Sequence, residues 1–187
     1  REPTSMIVLG IDTSLDACSV AIVRGGETLA HLHEQMTRGQ AERLAPMVRD
    51  VAEQAGVAFA DFDRIAVTTG PGSFTGVRVG LSFARALALA IGKPCIGVST
   101  LEALALQAGE EGARAGLVET PGASYFARYE NGAPTISPRN IERGEHETQL
   151  QNALLTGPGV TVDAAAFAAR AARLLGLDAQ RHRGVIL

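Results

Sequence analysis

Two short segments carry residue types suited to phosphate chemistry. The first is Gly10-Ile11-Asp12-Thr13-Ser14, which closes one apolar, β-branched run and precedes another. A carboxylate at a strand end, followed by small hydroxyls, can hold Mg²⁺ and a phosphate, with the turn amides forming an anion nest. The same residues also read as a plain β-turn in which Asp12 and Thr13 satisfy the turn amides. No lysine or arginine lies within Asp12, Thr13 and Ser14 to pair with an anion. The second segment, Gly70-Pro71-Gly72-Ser73-Phe74-Thr75-Gly76, joins a strand to a helix. Gly70, Gly72, Ser73 and Thr75 could cradle a phosphate at the helix N-terminus. They equally suit a tight turn that needs glycine geometry. It is not a Walker loop, because no Gly-Lys-Ser/Thr follows.

Metal chemistry is not expected. His31 and His33 share one strand face, but His146 and His182 lie far along the chain, and there is no His-x-x-x-His or His-Glu-x-x-His spacing. Cys18 and Cys95 read as small core thiols. No residue is assigned a catalytic role.

A third feature is a helix with little side-chain bulk along one side. Gly76, Gly80, Ala84 and Ala88 recur every four residues, while Val79, Phe83, Ala86, Leu87 and Ala90 cover much of the remainder. Arg78, Ser82 and Arg85 form a narrow polar strip. A helix that is apolar nearly all round is buried on more than one side. Glycine inside a helix costs about 1 kcal/mol relative to alanine, so close packing must compensate. One side can face a sheet. The other needs a helix, either Gln40–Ala55 of this chain or one from another chain.

The positioning elements follow from periodicity. Met6–Ile11, Ser19–Arg24 and Glu27–Glu34 read as a β meander turned at Gly25-Gly26. Gln40–Ala55 is an amphipathic helix with the stripe Leu44, Met47, Val48 and Val51. Pro46 is expected near its first turn and Gly56 at its stop. Arg64–Thr69 is a buried strand, Val77–Ile91 a helix, and Cys95–Ser99 a strand. A helix capped by Ser99 or Thr100 then runs to Gln107. In the second half, Gly116–Glu119, Ser124–Glu130 and Thr135–Ile141 read as strands, with a hairpin at Asn131-Gly132. Glu145–Leu155 and Asp163–Leu175 read as helices, with Asp163 as N-cap, and Val185–Leu187 as a terminal strand. The result is an α/β fold of mixed sheets flanked by helices. The antiparallel front argues for a ribonuclease-H-like sheet over a plain doubly wound one. Two lobes are expected, 1–100 and 101–187.

Composition narrows the function. The chain has 187 residues, 46% apolar and 20% charged, with a formal net charge of −3. Basic residues are spread evenly, so a broad nucleic-acid-binding face is not expected. Aromatics are 4% with no tryptophan, which argues against a base-stacking platform. Two cysteines exclude a disulfide scaffold. The most apolar stretch, Leu81–Ile91, is short and contains Arg85, so no membrane span is expected. Arg1–Ser5 runs straight into a strand without the pattern of a secretory leader, and a cytoplasmic protein is expected.

Three segments resemble the TsaB (YeaZ) family: Ile7–Val23 (IVLGIDTSLDACSVAIV), Gln40–Met47 (QAERLAPM) and above all Thr69–Leu104 (TGPGSFTGVRVGLSFARALALAIGKPCIGVSTLEAL). The resemblance covers about the first 108 residues well and the second half loosely. It implies an ASKHA-type (actin-like) fold of two ribonuclease-H-like lobes. It further implies a non-catalytic subunit of the bacterial machinery that makes threonylcarbamoyladenosine in ANN-reading tRNAs. Such a subunit would support a TsaD-type transferase, join a TsaE-type ATPase, meet tRNA through the complex and form a homodimer when alone. The docking surface would fall on Gln40–Ala55 and Thr75–Ile91: Leu44, Met47, Val48, Val51, Gly76, Gly80, Phe83, Ala84, Leu87 and Ala88. Asp12, Thr13 and Ser14 would be a vestigial phosphate loop, with no resident cofactor and at most weak nucleotide binding. The family's Asn-His-Ser before Glu-Arg-Leu is here Gly39-Gln40-Ala41, and its Asp-Ala-Arg is replaced by Glu119-Thr120-Pro121-Gly122-Ala123. The joins near Gly159–Thr161 and Gln180–Arg181 look compressed, as if loop residues were missing. The alternatives are an ASKHA nucleotide-binding enzyme using Asp12 and the Gly70–Gly76 loop, and an M22-type metalloprotease.

Overall fold

A computed structural model describes residues 5–177 of the chain. The expected strand Val185–Leu187, the join at Gln180–Arg181 and His182 lie outside the described residues.

The first sheet is built from β1 (Ile7–Asp12), β2 (Ala17–Arg24), β3 (Glu27–Gln35), β4 (Arg64–Thr68) and β5 (Cys95–Val98), in the order β3-β2-β1-β4-β5. The meander β1–β2–β3 is antiparallel, and β4 and β5 add in parallel. β1 and β4 are buried along their whole length, as continuous apolar runs covered on both faces should be. Their alternation sorts two cores. Ile7, Leu9, Ile11, Ile65 and Val67 point toward α1 (Gln40–Ala55) and α2 (Phe74–Ile91). Val8 and Ala66 point the other way, toward α3 (Thr100–Gln107) and α5 (Ala164–Leu177).

The second sheet is β8-β7-β6-β9, formed by β6 (Ala113–Thr120), β7 (Ala123–Glu130), β8 (Ala133–Ile141) and the short β9 (Leu154–Thr156). Val118, Ala127 and Tyr129 face the α3–α5 layer. Ala115, Leu117, Phe126 and Ile141 form a third cluster on the opposite face with Leu150, the last residue of α4 (His146–Leu150). The order of layers is therefore α1/α2, sheet, α3/α5, sheet, α4. Although it comes from the second half of the chain, α5 packs on the first sheet. Gly10 has no side chain to oppose it: a Cβ there would lie 2.8 Å from Ala164 O and 2.9 Å from Ala168 Cβ. Ala164 N donates to the buried Ser19 Oγ at 2.9 Å. The middle core thus draws on both halves, while the first sheet (Ile7 to Val98) and the second (Ala113 to Thr156) lie on either side of residue 100.

Three local expectations change. The stretch 145–155 is not one helix. Only His146–Leu150 is helical, and Leu154–Thr156 pairs in parallel with Arg114–Gly116. Pro46 sits in the second turn of α1 rather than its first, and its imide nitrogen leaves Glu42 O without an i−4 donor. α2 begins at Phe74, earlier than Val77, because Ser73 Oγ caps Gly76 N at 3.1 Å. Ser99 caps α3 by accepting from Leu101 N, and Asp163 Oδ1 caps α5 by accepting from Ala165 N at 2.8 Å.

The second sheet meets α3 at Gly116, where a Cβ would come 2.2 Å from Leu101 O. Gly116→Ala must push the helix and strand apart and should cost about 2 kcal/mol or more. Urea unfolding should show this as a lowered midpoint, and an unchanged midpoint would contradict the packing.

Candidate functional site: the Asp12 turn and the helix behind it

The two candidate phosphate segments meet and close on each other. Asp12 ends β1 and is fully buried. Its Oδ1 accepts from Thr68 Oγ1 (2.6 Å), Ser14 Oγ (2.5 Å) and Ser14 N (3.2 Å), while Oδ2 has no hydrogen-bond partner among the described residues. Burial pushes the carboxyl up to about 6, against the opposing pull of the Ser14 and Thr68 hydrogen bonds. Thr13 Oγ1 donates to Gly76 O at 2.6 Å, and Ser73 N donates to Ser14 O at 2.7 Å. Three glycines permit this contact. A Cβ on Gly72 would lie 2.1 Å from Ser14 O, on Gly76 2.2 Å from Thr13 O, and on Gly80 2.6 Å from Thr13 Oγ1. The hydroxyls of Thr13 and Ser14 and the amide of Ser73 are thus engaged within the protein. The structure brings Asp12, Thr13, Ser14, Gly72, Ser73 and Gly76 together as a structural joint. Gly70 (φ 95°) turns the chain beside it, and Thr75 lies exposed in the first turn of α2.

No three His, Cys, Asp or Glu side chains gather as a metal site among the described residues. His31 Nε2 stands 3.0 Å from Asp163 Oδ1, and His33 Nε2 stands 3.0 Å from Thr161 Oγ1. Both rings tie β3 to the start of α5. Cys18 and Cys95 are buried, and burial raises both thiols, Cys18 to about 12, so neither is a ready nucleophile.

The expected docking residues divide. Leu44, Met47, Val48 and Val51 of α1, and Gly76, Gly80, Ala84 and Ala88 of α2, are buried within the chain. They form interior packing instead of a docking surface: the small-residue stripe seats α2 on β1, β4 and the Asp12 turn. Phe83 and Leu87 are half-buried against the same core. The solvent face of α2 is instead Ser82, Arg85, Ala86, Leu89 and Ala90, with Leu89 85% exposed. By length and composition alone α2 could cross a membrane. Its seating on the sheet makes it an element of this fold with one apolar side uncovered.

Two cavities escaped the sequence reading because their walls come from segments far apart in the chain. A cleft of about 980 Å³ lies between the Leu15–Asp16 turn, Gln35–Thr37 and Gly72–Phe74 on one side and Leu117–Pro121 and Gly157–Thr161 on the other. Its lining holds Asp16 and Glu119 but no lysine or arginine. A second, more open groove of about 740 Å³ lies beside it, at the start of α2.

Residues 32–126 match the family described as TsaD: tRNA N6-adenosine threonylcarbamoyltransferase. The tRNA threonylcarbamoyladenosine biosynthesis protein TsaB of Escherichia coli is 41% identical over 129 residues, which cover 67% of this chain and 55% of that protein. A tRNA N6-adenosine threonylcarbamoyltransferase of Erythrobacter litoralis is 43% identical over 54% of this chain and 34% of its own length. The chain thus spans about a third to a half of these curated relatives. Among solved structures, YeaZ from Pseudomonas aeruginosa superposes with a TM-score of 0.76 and 28% identity, covering 91% of this chain and 92% of that one. An uncharacterized Pseudomonas aeruginosa protein with similarity to peptidase YEAZ gives 0.79 and 28%, covering 96% and 94%. These likenesses establish the two-sheet arrangement as an actin-like one.

Two outcomes follow from the joint. The Asp12 carboxyl titrates near 6 when folded and near 3.8 when unfolded, so the folded state binds the proton more tightly between these values. Its stabilising share is complete below about pH 4 and is lost as pH rises through 6, a difference of about 3 kcal/mol. Asp12→Asn should fold and lose this part of the pH dependence, as read by denaturant unfolding at pH 4 and pH 7. Gly80→Leu should lower stability by about 3 kcal/mol. Retention of the wild-type melting temperature would show that the stripe does not pack internally.

Proposed function

This chain belongs to the TsaD-type family of tRNA threonylcarbamoyladenosine biosynthesis, in its TsaB (YeaZ) branch, and on that premise we propose that it is a non-catalytic partner subunit of a TsaD-type transferase. It docks on the transferase, a TsaE-type ATPase joins the pair, and tRNA is modified by the assembly. Without its partner the chain pairs with a second copy through the same face. The reading places it in the cytoplasm, away from membranes, with no resident cofactor.

The observation that carries the docking role is the uncovered apolar face of α2. Ala86, Leu89 and Ala90 lie in solvent on a helix whose opposite side is sealed against the sheet. An apolar patch with a polar rim, here Ser82 and Arg85, is the usual mark of a protein contact. The closed Asp12 joint supports a supporting subunit over a nucleotide-binding enzyme, since its hydroxyls are committed to internal bonds. Micromolar Mg²⁺-dependent heats in a nucleotide titration of the isolated chain would favour the enzyme reading. Stoichiometric Zn²⁺ or Fe²⁺ on the purified protein would favour an M22-type metalloprotease.

The decisive experiment is a drop-out reconstitution with tRNA, threonylcarbamoyl-adenylate synthase, a TsaD-type enzyme and TsaE, in which modified adenosines are counted by nucleoside mass spectrometry. Product should form only when the chain is present, and equal product without it would defeat the proposal. Leu89→Asp should leave the melting temperature within about 1 °C, because the residue touches little. It should weaken transferase docking at least tenfold in a pull-down titration, as expected for a charge placed in an apolar contact.

A further inference from the structure

We infer that the groove between the start of α2 and the β7–β8 hairpin is a binding site for single-stranded RNA. The inference rests on the tRNA-modification reading for its choice of RNA, and on the groove for everything else. The walls join the two halves of the chain: Thr69, Phe74 and Arg78 from one, and Tyr125, Arg139 and Asn140 from the other. The lining holds two arginines and no carboxylate.

The aromatic is placed for stacking. Phe74 is 75% exposed at the mouth, and the Arg78 guanidinium lies 4.9 Å from its ring centroid. Such a pair offers a base a flat apolar face and a phosphate a cation at one point. Arg139 donates from Nη2 to Gln149 Oε1 at 2.6 Å. A neutral amide holds the guanidinium without cancelling its charge, so its remaining donors stay available to a phosphate. Asn140 supplies a small polar group for a base edge, while Thr69 Oγ1, which donates to Val98 O at 3.3 Å, can still accept.

Charge selects between the two cavities. The larger cleft has Asp16 and Glu119 in its lining, and Arg143, from outside that lining, approaches Glu119 at 3.8 Å. A polyanion is repelled there and attracted to the arginine-lined groove next to it. In a chain of net charge −3 the attraction is local, so binding is weak and sensitive to salt.

The test is fluorescence anisotropy of the isolated full chain with a labelled short single-stranded oligoribonucleotide at low salt. Affinity should fall with salt with a log–log slope of about −1.4 for two phosphate contacts, and Arg78→Gln or Arg139→Gln should each remove about 0.7 of it. Phe74→Ala should weaken binding about tenfold and Phe74→Tyr should restore it. Arg49→Gln, which removes the same charge from α1, should leave binding unchanged. Absence of salt-sensitive binding would overturn the inference, as would groove variants that bind like the parent. So would full displacement by AMP or by a poly-glutamate peptide at matching concentration, which would assign the groove to a free nucleotide or an acidic protein segment. The drop-out reconstitution reads the partner-subunit proposal separately: product requiring the chain, together with an oligonucleotide that does not bind, would sink the RNA groove alone.

Discussion

The structure depends on one backbone contact: the first turns of α2 lie directly on the Asp12–Ser14 turn. Three positions, Gly72, Gly76 and Gly80, come so close that any Cβ would collide with Thr13 or Ser14. Helical glycine is unfavourable by itself, and the contact returns that cost through hydrogen bonds that only this approach permits, Thr13 Oγ1 to Gly76 O and Ser73 N to Ser14 O. Because the contact fixes both the height and the rotation of α2, it also decides what the helix shows to solvent. With the glycine–alanine ridge turned inward, Ala86, Leu89 and Ala90 face outward in the later turns, and Phe74 and Arg78 face the groove at its start. One ridge thereby positions two different surfaces.

A second constraint holds the halves together. α5 lies between the sheets because Gly10 leaves room for it and Ser19 accepts from its first amide. Gln107 grips the entry to the same helix, donating to Thr161 O and accepting from Asp163 N. The contact of His31 with Asp163 adds little energy, since both groups are about one-third exposed. Its value is positional: it fixes β3 beside the cap of α5. The cleft therefore sits between walls that share a core, and the His33–Thr161 hydrogen bond links β3 on one side to Thr161 on the other.

The legible parts of the sequence were those where one period dominates. α1 was readable at both ends because Leu44, Met47, Val48 and Val51 repeat at helical spacing and Gly56 adopts φ 63° at the stop. The meander was readable because Gly25-Gly26 turns between β-rich runs. The 145–156 region was not, since a single helical turn and a three-residue strand are too short to show a period, and β9 exists only because β6 offers it an edge. The glycine–alanine stripe was visible as a close-packing surface, but spacing could not say whether a sheet, a helix of the same chain or another chain would fill it. The carboxylate-lined cleft and the arginine-lined groove were hidden for a related reason. Each is assembled from residues more than 40 positions apart, and no local pattern marks Phe74, Arg78 and Arg139 as neighbours.

Asp12 shows how a segment with the composition of a phosphate loop becomes structural. Its Oδ1 accepts from Ser14 N, Ser14 Oγ and Thr68 Oγ1, and Oδ2 has no partner among the described residues. A carboxylate sealed in this way is costly when charged, and burial accordingly raises it to about 6. Gly72 and Gly76 carry the backbone of the next segment against Ser14 O and Thr13 O. The same approach seats α2. One contact thereby fixes both the turn and the helix, and the cationic groups of this region lie outside the cleft, on Arg78 and Arg139.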